Sequence, residues 1–202
     1  MANRINKSLE ARFSSVFSAR LWGDGESASG PGSSSDSPMV IEAMHALETA
    51  YQDFGVRSIA DIPCGDFSWI VKFLNRHPDV QYVGFDIVED LVAQNSALHT
   101  GRQFEHFDIV SDAPEKFDLV FTKELLIHLR YTQIFDALRN MKASGSSYLL
   151  ASNSFGVSNA ELTNDELGYA RPVDLCALPF NFPKPLWQNS FYALWEMSEL
   201  LA

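Results

Sequence analysis

Between residues 58 and 152 the chain repeats one rhythm, a short apolar strand, a turn and an amphipathic helix. Strand patterns fall at residues 58–62, 82–86, 104–109, 119–122 and 148–152, with another at 191–197. Helical patterns fall at 69–75, 88–98 and 125–141, the last marked by Ile127, Ile134 and Leu138. Strands that alternate with helices are joined by right-handed crossovers, which gives a mainly parallel sheet with helices on both faces. The expected class is therefore α/β, a three-layer Rossmann-like sandwich. Sheets of this kind bind ligands beyond the carboxyl ends of their strands, near the point where strand order reverses. Chemistry is therefore to be sought in the residues just past the end of each strand.

Ahead of this core, Ile5, Leu9, Phe13, Phe17 and Leu21 recur every four residues and predict an amphipathic helix that packs on the body or covers a ligand. Residues 23–37 then turn to Gly, Ser, Asp and Pro, the composition of a loop. Ser37 and Pro38 form an N-cap and first-turn pair, opening a helix over residues 39–54. With 202 residues, 46% hydrophobic and 20% charged, the chain suits one globular domain.

Charge and cysteine content exclude several functions. Fifteen Lys and Arg against 26 Asp and Glu give a net charge of −11, which opposes attraction to a phosphate backbone and argues against a nucleic-acid partner. There is no 18-residue apolar run and no apolar leader core, so the expectation is a soluble, cytoplasmic protein without a membrane partner. Cys64 and Cys176 are too few for a disulfide framework, and no CxxC or HxxxH spacing points to zinc. Glu124, Asp165 and Asp174 are too scattered for a magnesium site, so no metal is expected.

The strand ends carry the chemistry. Residues 58–69 read SIADIPCGDFSW, where Gly65 allows close backbone approach and Asp61 and Asp66 flank it. A dinucleotide loop uses three glycines where this one has a single glycine, and its acids suit an ammonium or sulfonium better than a phosphate. Roughly 20 residues on, Asp86 ends the second strand, where an acid accepts from ribose hydroxyls. Asp108 comes after the third strand beside Phe107, suited to the edge and face of an adenine.

With these residues in view, the chain resembles the class I S-adenosylmethionine-dependent methyltransferases over about residues 58–152, through DIPCGD, GFDIV, HFDIV and FDLVFTKELLIHL. It departs from their usual G-x-G-x-G loop at Pro63, Cys64, Gly65 and Asp66. It is similar in particular to small stand-alone members that pair a PCGDF-W loop with an upstream W-x-x-GES-SGPGS segment, here Trp22, Gly25, Glu26, Ser27, Ser29, Gly30, Pro31, Gly32 and Ser33. Residues 171–185, RPVDLCALPFNFPKP, and then YALWEM extend the likeness. That subgroup is linked to small-molecule and glycan modification, which implies a reaction type and not a substrate.

The resemblance implies a role for each matching residue. Asp61, Cys64 and Gly65, with Asp66 and Trp69 of the same loop, would hold the methionine part of the cofactor, and Asp86 the ribose. Asp108 would accept from the adenine amino group, with Ile87 and Phe107 or Ile109 as apolar walls. Lys123 would lie beside the methionine carboxylate, while Trp22, Ser29, Gly30 and Ser33 belong to a segment closing over the cofactor. Seven strands are implied, ending in an antiparallel strand at 191–197, and the one still missing is expected around 173–178. The single domain, 1–202, then divides into a helix and cofactor-covering loop (1–37), a cofactor-binding core (38–152) and an acceptor-pocket segment with C-terminal strands (153–202).

Methyl transfer from a sulfonium is an in-line displacement that a base can assist. Glu124 and His128, at i and i+4 on the helix expected after the fourth strand, share a face near the reacting rim. His128 is the candidate base, or else a packed residue between Ile127 and Leu129. The long segment 153–189, with Asn153, Tyr169 and Arg171, is expected to build the acceptor pocket. Arg171 there would bind an anionic acceptor, or pair with Glu166 or Asp174.

The expectation is methyl transfer from S-adenosylmethionine, leaving S-adenosylhomocysteine, to a small-molecule or saccharide-type acceptor, most simply at oxygen, by a monomer or homodimer. A non-catalytic S-adenosylmethionine-binding partner subunit and a NAD(P)-dependent oxidoreductase are the alternatives.

Overall fold

The computed structural model of the chain describes residues 5–23, 25–163 and 166–200. Helix α1 (Lys7–Ser18) starts at Asn6, whose side chain accepts from the amides of Ser8 and Leu9. Helix α2 (Pro38–Asp53) starts as expected at Ser37 and Pro38, with the Ser37 hydroxyl accepting from the Met39 amide. The chain continues through β1 (Ser58–Asp61), α3 (Val71–Arg76), β2 (Gln81–Asp86), α4 (Glu89–Leu98), β3 (Gln103–His106), β4 (Leu119–Thr122), α5 (Tyr131–Ala143), β5 (Tyr148–Ser152), β6 (Trp187–Gln188) and β7 (Tyr192–Glu196).

These strands form one seven-stranded sheet in the order β3-β2-β1-β4-β5-β7-β6. Strands β1 to β5 run parallel, while β7 is antiparallel to β5 and β6 antiparallel to β7. This is the Rossmann-like α/β architecture expected from the sequence. Because successive strand residues face opposite sides, the central strands, such as β4 with all four residues buried, feed two cores. Ala60, Val120, Leu149 and Trp195 join α5 and Leu9 of α1 on one face. Ile59, Phe121, Leu150 and Tyr192 join α2 and α3 on the other. Asp118 fixes the register at the start of β1 by accepting from the amides of Arg57 and Ser58.

Two expectations are corrected. The seventh strand is not at 173–178 but at β6, with Trp187 opposite Leu194. In 173–178 the carboxylate of Asp174 accepts from the amides of Gly156 and Cys176 and from the Asn153 side chain. The backbone then turns, with the Ala177 amide donating to the Asp174 carbonyl. Local side-chain bonds thus replace a sheet ladder there.

The helix expected over 125–141 is likewise broken. Residues Leu126–His128 form one 3₁₀ turn, and Leu129 and Arg130 are extended before α5 begins. Glu124 and His128 therefore do not lie at i and i+4 of one α-helix.

Candidate functional site

The sheet order places the switch point between β1 and β4, since the chain runs from β1 outward to β2 and β3 and returns to β4 on the other side. Here a cavity of about 330 Å³ opens at the carboxyl ends of β1, β2 and β4. Its floor is the loop after β1, with Asp61, Cys64, Gly65, Asp66 and Trp69, together with Asp86 and Ile87 after β2 and Lys123 and Glu124 after β4. Its cover is Phe13 and Phe17 of α1, Trp22 and residues 28–33.

Cover and floor are locked together. The Asp66 carboxylate accepts from the Ser27 hydroxyl and the Ala28 amide, both at 2.7 Å, and the Ser29 hydroxyl accepts from the Asp66 amide at 3.0 Å. Lys123 Nζ donates to the Ser33 hydroxyl at 3.0 Å. Residues 27–33 and the loop after β1 are therefore one physical unit.

Gly65 sits at φ +57°, and a Cβ there would come within 2.5 Å of Ser29 Oγ. A left-handed backbone and a side-chain-free approach are both needed at this position, so only glycine fits. Its amide donates to Asp86 and its carbonyl accepts from the Asn95 side chain at 2.8 Å. Asn95 is buried on the inner face of α4 beside Leu91 and Val92.

The charges are unbalanced. Four carboxylates (Asp61, Asp66, Asp86 and Glu124) and one ammonium (Lys123) line the cavity. Burial pushes the Asp61 carboxyl up to about 8, although the Tyr82 hydroxyl donates to it at 2.7 Å. Burial lifts Asp86 to about 6 against the amides of Val88 and Gly65 that hold it. It also lowers the Lys123 ammonium and raises the Cys64 thiol well above its ordinary value, leaving that thiol unreactive. A cation brought beside these buried acids would favour their ionised form.

Glu124 has φ +60°, a conformation costing a non-glycine residue roughly 1–2 kcal/mol. The Ser152 hydroxyl accepts from its amide at 2.9 Å and holds the bend. His128 is 9% exposed, stacked on Trp22 with ring centroids 4.5 Å apart. Its Nδ1 lies 2.9 Å from the Tyr169 carbonyl, which can only accept. Nδ1 therefore carries the proton, and Nε2 keeps its lone pair. Burial lowers the imidazole to about 4, so it stays neutral across the physiological range.

No established protein-family profile matches the chain. The large subunit of the hydroxylase component of propane 2-monooxygenase from Gordonia sp. (strain TY-5) is 27% identical over 161 residues, 79% of this chain. The chain spans only 29% of the length of that relative. Among solved structures, an N-methyltransferase, NodS, from Bradyrhizobium japonicum in complex with S-adenosylhomocysteine superposes with a TM-score of 0.56 at 19% identity, over 71% of this chain and 74% of that one. Magnesium protoporphyrin IX methyltransferase from Synechocystis, with the same product bound, gives 0.56 at 17% identity over 73% and 71%. An O-methyltransferase of a polyketide multienzyme from Brevibacillus brevis, with the same product bound, gives 0.53 at 16% identity over 64% of this chain and 46% of that one. The fold is that of the class I methyltransferases.

Within this methyltransferase fold the structure gathers most residues singled out from the sequence. Trp22, Ser29, Gly30, Ser33, Asp61, Cys64, Gly65, Asp66, Trp69, Asp86, Ile87, Lys123, Glu124 and His128 line one cavity. Phe107, Asp108 and Ile109 line a smaller hollow of about 30 Å³, which shares Phe13, Pro63, Asp86, Ile87 and Leu125 with the larger one. There the Asp108 carboxylate accepts from the Asn6 amide, the Val110 amide and the Ser111 hydroxyl. The Asn6 amide at the start of α1 thus bonds to the carboxylate that the resemblance assigns to an adenine amino group.

Three residues stand elsewhere. Asn153 is buried away from the cavity, with its side chain donating to Asp174 and accepting from the Leu175 amide. The Arg171 guanidinium donates to the carbonyls of Ala160, Leu126, Ile127 and Leu129, clamping the 3₁₀ turn that carries His128 and meeting neither an acceptor site nor Asp174. Tyr169 takes part through its carbonyl, while its side chain is exposed. Asp165, named among scattered carboxylates, lies outside the described residues.

The sequence reading missed Tyr82 and Asn95, which hold Asp61 and Gly65, and the latch role of Ser27. Asn95 had a signal, an amide on the apolar face of a helix.

Proposed function

We propose that the chain binds S-adenosylmethionine and transfers its methyl group to a small-molecule acceptor. The observation that carries this reading is the acidic, glycine-floored cavity at the switch point of a methyltransferase fold. The residues present fit the cofactor. Asp86 offers a carboxylate to ribose hydroxyls, Lys123 an ammonium to a carboxylate, and Asp61 a raised acid to an ammonium. Gly65 provides the close backbone approach. When bound, the cofactor supplies an electrophilic methyl carbon on a sulfonium. The protein's part is to hold the acceptor in line with it, exclude water beneath Trp22 and α1, and receive a proton.

His128 is poised to accept at Nε2, since the Tyr169 carbonyl fixes the other nitrogen as donor. Its low proton affinity makes it an orienting acceptor more than a strong base, which removes the reason the sequence offered for preferring oxygen. The net charge of −11 disfavours nucleic acid as the acceptor.

Calorimetric titration with S-adenosylhomocysteine tests the reading. Micromolar binding by the wild type, lost in Asp86→Ala, is expected. An absence of binding by the wild type overturns it and brings forward NAD(P) and a partner-subunit role.

A further inference from the structure

Resting on the reading above, we propose that the methyl acceptor is a protonated amine and that Glu124 is its counter-ion. The carboxylate of Glu124 lines the cavity yet accepts no hydrogen bond from any described residue and forms no ion pair with Lys123. Every other acid of the cavity is already held. Asp61 accepts from Tyr82, Asp66 from Ser27 and Ala28, and Asp86 from Gly65 and Val88.

Position separates Glu124 from these groups. It comes after β4 on a left-handed bend held by Ser152, and its Oε2 lies 3.7 Å from where a Cβ on Gly32 would stand. Lys123 Nζ comes within 3.8 Å of the same place, held by Ser33. The same cavity is also lined by Trp22, Ile127 and the neutral ring of His128. A carboxylate that feels the Lys123 charge but accepts no hydrogen bond from a described residue, in a cavity that Trp22 also lines, offers the recognition chemistry of an alkylammonium.

Burial raises the Glu124 carboxyl above its ordinary value, which suits the next step. An ammonium has no lone pair and cannot attack. Its nitrogen first gives a proton to Glu124, whose carboxylate becomes a carboxylic acid. The nitrogen then forms its bond to the methyl carbon as the carbon–sulfur bond breaks, the electron pair remaining on sulfur. The proton leaves Glu124 for solvent, and the methylated nitrogen departs as an ammonium. A hydroxyl acceptor brings no positive charge to offset the half-buried carboxylate.

The test is binding, read separately from turnover. Protein saturated with S-adenosylhomocysteine is titrated with 2-phenylethylamine and with 2-phenylethanol, following Trp fluorescence and calorimetric heat. The amine is expected to bind at least about tenfold more tightly than the alcohol, the worth of one charge-assisted hydrogen bond. Glu124→Gln should abolish that preference while leaving the affinity for S-adenosylhomocysteine unchanged, and Glu124→Asp, which keeps the charge, should retain part of it. Equal binding of the two probes, or binding of neither, overturns the proposal while the cofactor reading stands. A large loss of S-adenosylhomocysteine affinity in Glu124→Gln also overturns it, because Glu124 would then hold the methionine ammonium. Failure of the wild type to bind S-adenosylhomocysteine at all sinks the underlying methyltransferase reading instead.

Discussion

Asp61 carries the sharpest consequence at the scale of single residues. With its carboxyl at about 8 in the folded protein, it is protonated at neutral pH, whereas in the unfolded chain it is ionised. The folded state therefore binds more protons, and stability falls as pH rises from the ordinary carboxyl range towards about 8. Asp61→Asn should flatten that dependence in the ligand-free protein, measured as thermal midpoint against pH. A cation placed beside Asp61 ionises it, so S-adenosylmethionine should release close to one proton on binding at neutral pH. Calorimetry in phosphate and in Tris detects this as a buffer-dependent heat, and equal heats in the two would show that Asp61 does not meet the cation. His128, held near 4 and already neutral, should contribute no limb to the pH–rate profile between pH 5 and 8. A limb in that range that disappears in His128→Phe would contradict the assigned tautomer and burial.

At the scale of elements, the loop after β1 and the cover over it behave as one part. Gly65→Ala forces a Cβ against Ser29 Oγ at a left-handed φ, which should lower stability by about 1–2 kcal/mol and weaken cofactor affinity far more. Adding Ser29→Gly should recover some of the affinity, and the double-mutant cycle measures how much of the loss is the collision. The central parallel strands were legible in the sequence because burial on both faces makes them nearly continuous apolar runs, such as Leu119 to Thr122. The acids at their ends were legible for the same reason, each marking where an apolar run stops. Strand β6 was not, because two residues carry no periodicity. The break before α5 was hidden because Leu125, Leu126 and Leu129 keep a helical spacing while Arg171, distant in the chain, supplies the donors that hold the turn open. Asn153 and Arg171 escape a sequence reading for a related cause. Polar residues in a long loop look alike in sequence whether they meet a ligand or bare backbone groups of their own chain.

For the whole molecule, the cavity joins both layers of helices to the sheet, so filling it should stabilise the entire domain. S-adenosylhomocysteine at a hundredfold excess over its Kd adds about 2.7 kcal/mol. In a domain of this size that corresponds to a rise of about 5–11 °C in Tm, measurable by scanning calorimetry. The rise should shrink in Asp86→Ala and persist in Glu124→Gln, which separates cofactor grip from acceptor grip in one experiment.

The bond from Lys123 to Ser33 spans 90 residues, with the cover preceding its partners in the chain. A ribosome adding about 5–20 residues per second makes Ser33 roughly 5–18 s before Lys123 exists to hold it. During that interval Phe13 and Phe17 of α1 lack the part of the cavity wall that follows β4, from Lys123 to His128. The latch between cover and floor therefore closes only after the fourth strand has been made, well after Ser33 itself.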